Sequence, residues 1–152
     1  MKRLPTPRLP GWTMAALLAL GSTAPAAAQD IANPLDAERW KTRPVVVVVP
    51  QESDPLLTNL RATLQQTAAR EAFREREMVL YTVVAGSGRR NGEALSAAQT
   101  SAMLAALGLH PDGSTAFVLV GKDGGVKLRE GASVNLQAVF DEIDRMPMRQ
   151  AR

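Results

Sequence analysis

The chain has 152 residues, 22% of them charged and 4% aromatic, with 18 basic and 15 acidic side chains and no cysteine. The missing cysteine excludes disulfides, thiol redox chemistry, thiolate zinc sites and cysteine nucleophiles. The pI of 9.8 suggests an anionic partner, but the placement of the charge argues otherwise. Lys2, Arg3 and Arg8 are three of the 18 basic residues and no acidic residue precedes Gln29, so the chain after Ala28 carries 15 of each sign. A nucleic-acid binder concentrates basic charge on one face, and no nucleic-acid partner is expected.

The first segment, residues 1–28, reads as a signal peptide. Lys2, Arg3 and Arg8 form its positive region, Trp12 to Leu20 a short apolar region, and "APAAA" the small residues before a cleavage site after Ala28. So short an apolar run does not span a bilayer, and the expected location is periplasmic or secreted. The remaining 29–152 reads as a single domain of roughly 124 residues, enough to bury about two-thirds of its unfolded surface.

Val45 to Val49 is a continuous β-branched run, the pattern of a central strand covered on both faces. "SDPLLTNLRATLQQTAAREAFRERE" follows as a helix, with Asp54 as cap, Pro55 at its first position and Leu56, Leu60 and Leu64 along one face. Met78 to Val84 is a second strand and "AGSGRRNGEAL" a Gly-rich loop. "SAAQTSAMLAALG" is a helix whose Ser96 and Gln99 have capping-box spacing and whose Gly108 sits at the C-terminal cap. "TAFVLV" and "VKLRE" are strands joined by "GKDGG", where Asp123-Gly124 signals a hairpin. A last helix carries Leu136, Val139, Phe140 and Ile143 on one face and stops at Pro147.

The order β-α-β-α-β-β-α predicts an α/β fold. A parallel pair and an antiparallel hairpin would share a four-stranded mixed sheet flanked by helices on both faces. This order is similar to the thioredoxin-like core; a ferredoxin-like fold lacks the helix between its second and third strands. Within that frame "LDAERWKTRPVVVVV", "FVLVGKDGGVKLR" and "IDRMPMR" resemble the domain of unknown function 4174 family. That family is related to the thioredoxin-like domains of animal extracellular proteins, the coiled-coil protein DRO1 and the sushi-repeat proteins. The resemblance covers about 33–149 and implies a thioredoxin or peroxiredoxin-like fold, export and no established activity. It supplies no catalytic residues. Where a thioredoxin has its cysteine pair, this chain reads Ser53, Asp54 and Pro55, and no proline immediately precedes the third strand.

In open α/β sheets ligands bind beyond the carboxyl ends of the strands. The loops expected there, 50–55, 86–92 and 108–114, offer Ser53, Asp54, Arg89, Arg90, His110 and Asp112 as a ligand edge. "GSGRRNG" fits neither the phosphate-loop pattern nor G-x-G-x-x-G, and reads as a flexible, solvated loop, with an anion site around Arg89 and Arg90 as the alternative. His110 is the sole histidine and has no elbow serine beside it. No metal, cofactor or catalytic residue is expected, and Asp141, Glu142 and Asp144 read as a solvated helix face. Trp40, just before the first strand, reads as a packing lid over the sheet edge, with a binding aromatic as the alternative.

The function these features imply is a redox-inactive, exported binding module whose partner is another envelope or extracellular macromolecule. The alternative is an enzyme or small-anion binder using the loop edge, and a third is an assembly factor.

Overall fold

The computed structural model describes residues 32–150. The signal segment expected over 1–28 lies outside them. The elements run as a 3-10 turn (Pro34–Glu38), β1 (Arg43–Val49), α1 (Pro55–Gln65), α2 (Thr67–Glu75), β2 (Met78–Val84), β3 (Ser87–Arg90), β4 (Glu93–Ala94), α3 (Ala97–Leu107), β5 (Ala116–Val120), β6 (Val126–Glu130), α4 (Leu136–Asp144) and α5 (Pro147–Gln150).

The α/β class holds, but the sheet has six strands rather than four, in the order β4-β3-β2-β1-β5-β6. β1 pairs parallel with β2 and antiparallel with β5, and all other pairs are antiparallel. The two added strands come from the stretch read as a Gly-rich loop. Ala85 and Gly86 both have positive φ, 46° and 80°, as do Asn91 and Gly92, 46° and 90°. Each pair therefore makes the tight turn whose twist suits a two-residue hairpin. Asn91 also fastens its turn to β2, donating N–H to Leu80 O at 2.7 Å and accepting Leu80 N–H on Oδ1 at 3.0 Å.

The Val run lies at the centre, and all seven residues of β1 are buried. Its alternate side chains enter two cores. Val45, Val47 and Val49 meet Leu56, Leu57 and Leu60 of α1, Phe73 of α2 and the Leu136–Phe140–Ile143 stripe of α4. Val46 and Val48 meet Tyr81, Leu35 and Met103, Leu104 and Leu107 of α3. Helices thus cover both faces.

The single helix expected over 53–77 is broken at Gln66, whose ψ of 130° is extended. The apolar row Leu56–Leu60–Leu64 would continue through Ala68 to Glu71, whereas the residue that enters the core is Phe73. Resetting the helix at Gln66 turns Phe73 inward and leaves Glu71 exposed. Likewise α4 ends at Asp144 and Pro147 begins α5 instead of closing α4, a position where proline is well suited. Other termini follow the sequence. The Ser96–Gln99 capping box forms with both bonds, and Gly108 is left-handed at φ 63°.

Candidate functional site

The expected ligand edge is built as follows. Asp54 Oδ1 accepts the Leu56 N–H at 2.9 Å, capping α1, while Oδ2 accepts the Thr115 hydroxyl at 2.9 Å. Both oxygens of this buried carboxylate are therefore occupied, one in capping α1 and the other in joining the 50–55 loop to the residue before β5. A Cβ placed on Gly86 would lie 3.6 Å from Pro111, so the β2–β3 turn approaches the loop after α3. Ser53, His110 and Asp112 are exposed on these loops.

The two arginines part company. β3 places Arg90 opposite Tyr81 and Arg89 opposite Thr82, and successive strand residues face opposite ways. Arg90 turns to the α3 side and Arg89 to the other, where it is exposed and reaches Gly92 O at 3.5 Å. The edge therefore gathers Ser53, Asp54, His110 and Asp112 on neighbouring loops and divides Arg89 from Arg90.

Arg90 belongs instead to a buried cluster that the sequence does not announce. Glu38, 5% exposed at the end of the 3-10 turn, accepts the Tyr81 hydroxyl at 2.8 Å and Arg90 Nε at 2.7 Å on Oε1, and the Thr42 hydroxyl at 2.5 Å on Oε2. Burial pushes the Glu38 carboxyl up, but the hydrogen bonds from Arg90, Thr42 and Tyr81 together outweigh it and hold the group below its ordinary value. Burial, reinforced by the carboxylate beside it, pushes the Tyr81 phenol up to about 12. Neither group is poised to exchange a proton near neutrality. The cluster clamps the chain's entry segment to the sheet. Its only sequence signal is that Leu35 and Glu38, three apart, share one side of a helical turn.

A second charged cluster lies where β1 and β2 begin, at the end of the sheet away from the loop edge. Arg43, 2% exposed, donates Nη1 to Arg76 O at 2.9 Å and stands 3.7 Å from Glu77 Oε2, which also pairs with Lys122. Arg76 meets Asp144 at 2.5 Å and stacks 4.8 Å over the Phe140 ring. Trp40 donates its backbone N–H to Lys122 O at 2.7 Å, and Arg39 Nε lies 2.8 Å from where a Gly124 Cβ would sit. The Trp40 side chain is not a packing lid. It is 67% exposed, on a backbone with φ 64°.

The three stretches quoted for the resemblance thus meet at one end of the sheet, through Arg39, Trp40 and Arg43, through Lys122 and Gly124, and through Asp144. A family profile described as Domain of unknown function (DUF4174) matches residues 34–152. The chain belongs to the domain of unknown function 4174 family. No curated protein and no solved structure matches it. In this member of the 4174 family the resembling stretches build an interior ionic joint, away from the loop edge.

A wide concavity lies elsewhere again. A groove of about 830 Å³ runs between α1–α2 and the start of α4, within the size range of ligand sites. Its floor is Leu56, Leu60, Leu136 and Phe140, and its walls present Asn59 and Gln66. No lining residue is charged. The break at Gln66 opens it, and the alanines of α2 keep it open. A second groove of about 410 Å³ lies on the other side of the 133–135 loop, between β6 and α4. No cluster of metal-ligating side chains occurs among the described residues, and no helix among them is long and apolar enough to cross a membrane.

Proposed function

We propose that this member of the 4174 family is an exported binding module with a thioredoxin-like frame from which thiol chemistry is missing. The frame is suggested by the four central strands β2-β1-β5-β6, with one parallel pair, two antiparallel pairs and helices on both faces. β3 and β4 are an addition at one edge. Export is suggested by the n-h-c pattern over residues 1–28.

The observation that carries the binding role is the groove of about 830 Å³ without a charged or titratable lining residue. It can hold a ligand by amides, hydroxyls and apolar contact, and its lining offers no general base to activate the Thr63 and Ser133 hydroxyls. Glu38, held low, and Tyr81, pushed up to about 12, are locked to each other and to Arg90. The partner is another macromolecule of the envelope or exterior.

Two measurements test this reading. Intact mass of the protein recovered from its own host should show loss of residues 1–28; retention of Met1 through Ala28 contradicts export and cleavage. Affinity capture from an envelope fraction should return a reproducible partner that is lost with Ala69→Trp, which fills the groove from α2. Capture unaffected by Ala69→Trp rejects the groove, and repeated failure to return a partner rejects the module.

A further inference from the structure

Among the described residues the large apolar side chains that stand exposed are Trp40 at 67%, Met148 at 42% and Val126 at 40%. All of them belong to the end of the sheet that holds the ionic joint. The Trp40 backbone N–H bonds Lys122 O, and Val126 pairs with Val120 next to the 121–125 turn. Met148 lies one turn of chain past Asp144, the partner of Arg76. Each comes from a different one of the three stretches that carry the family resemblance, and neither groove includes any of them. Trp40 is moreover displayed on a strained backbone, left-handed at φ 64°. Bonds on either side hold it there, from Arg39 N–H to Asp36 O and from Lys41 and Thr42 N–H to Glu38 O. Such strain persists only where the surroundings impose it, and it gathers at functional sites.

The charges around these side chains select the occupant. Arg39, Lys127 and Arg145 are each neutralised by a carboxylate of their own chain, Asp36, Asp123 and Glu142. The joint sets Arg43, Arg76 and Lys122 against Glu77 and Asp144, and Glu75 beside Arg76 brings it to balance. Lys41, next to Trp40, and Arg74, in the last turn of α2, are exposed and form no ion pair. The chain after Ala28 is neutral as a whole, so these two cations give this end a local positive excess. Projecting apolar groups with unanswered positive charge fit a surface that is anionic outside and apolar beneath. Tryptophan in particular settles at the headgroup level of a bilayer, where one side is apolar and the other wet. A protein partner fits less well. Three partly exposed side chains offer a few hundred Å² at most, against about 800 Å² on each side of a stable protein interface. A bilayer demands no matching shape.

We propose that this end of the domain docks on an anionic phospholipid surface, with Trp40 at the headgroup level, Val126 and Met148 beside it, and Lys41 and Arg74 against lipid phosphates. The contact is peripheral, because no helix among the described residues is long and apolar enough to cross a membrane. It goes beyond the binding-module reading and leaves the larger groove open, since that groove is lined by the start of α4 rather than by residues past its end.

Trp40 can report its own surroundings, because the only other tryptophan is Trp12. The test uses the protein recovered from its own host with Trp12→Phe. It is mixed with vesicles of phosphatidylcholine alone, or of phosphatidylcholine and phosphatidylglycerol in equal parts. On the mixed vesicles Trp40 emission should move to shorter wavelength and be quenched by brominated acyl chains. Affinity from cosedimentation should be about tenfold or more above that for phosphatidylcholine alone, and Lys41→Ala with Arg74→Ala should lower it roughly thirtyfold. Trp40→Gly should lower it severalfold while the thermal midpoint holds. Unmoved Trp40 emission on the mixed vesicles overturns the proposal, even where a retained 1–28 segment carries the chain to lipid by itself. Equal affinity for both vesicles, or cosedimentation indifferent to Trp40→Gly, overturns it as well. An emission shift with a partner captured from the envelope, and none with vesicles, gives this end to a protein. That result overturns the lipid contact and leaves the binding module standing.

Discussion

At the scale of single residues, the protein's unusual energetics lie in buried charges rather than in the exposed loop groups. Tyr81 is the only tyrosine in the chain, so its ionisation can be read directly from tyrosinate absorbance. It should titrate at about 12, and a midpoint near the ordinary 10 contradicts the Glu38 contact. Because the folded value lies above the unfolded one, the associated stability is complete below pH 10. It should fall as pH rises from about 10 to 12, by roughly 2–3 kcal/mol in chemical denaturation. Glu38 has the opposite sense: its folded value is lowered, so its contribution is present above the usual carboxylate range and disappears as pH falls through the lowered value. Glu38→Gln should bring Tyr81 part of the way back, since burial remains.

Trp40 invites the reverse experiment. A left-handed backbone costs a non-glycine residue about 1–2 kcal/mol, and this exposed ring returns little packing. Trp40→Gly should leave thermal stability unchanged or raise it by up to about 1 kcal/mol, and a large loss contradicts the exposed placement. Arg43→Ala should instead cost about 3 kcal/mol in denaturant unfolding, because Glu77 and the Arg76 carbonyl lose a buried partner.

At the scale of elements, what was legible followed from local chemistry. The Val run, the Ser96–Gln99 box, Gly108 and the α4 stripe each carry their own signal, and each appears where the residues put it. The positive φ of 85° at Gly124 also follows from the turn it occupies. The β2–β3–β4 meander was missed because Ser-Gly-Arg-Arg and Glu-Ala show no apolar alternation. Edge strands outside the core have no need of it. The Asn91-Gly92 dipeptide was a usable hairpin signal, whereas Ala85 gave none, because alanine is not a left-handed turn residue. Ala85→Gly should therefore stabilise the protein by about 1 kcal/mol, and Gly92→Ala should destabilise it by about 1–2 kcal/mol, both readable from midpoints of urea unfolding. The Glu38 clamp was not legible at all. It joins positions 38, 81 and 90, and burial of a charge is decided by partners distant in sequence. The same holds for the separation of Arg89 from Arg90, which depends on their being in a strand rather than a loop.

At the scale of the molecule, two ends and one face divide the work. The loop edge offers exposed Ser53, His110 and Asp112 around an Asp54 already committed to structure. The opposite end holds the ionic joint made by the family-resembling stretches. The helical face between them carries the neutral groove and, beside it, the β6 edge. The proposed binding role places the partner on this face. Photo-crosslinking in the native host tests it most directly, with the photoreactive residue placed at Gln66 in the large groove and, separately, at Glu93 on the far edge strand. Gln66 should yield a discrete crosslinked partner and Glu93 none; equal crosslinking from both, or none from Gln66, rules the partner off this face.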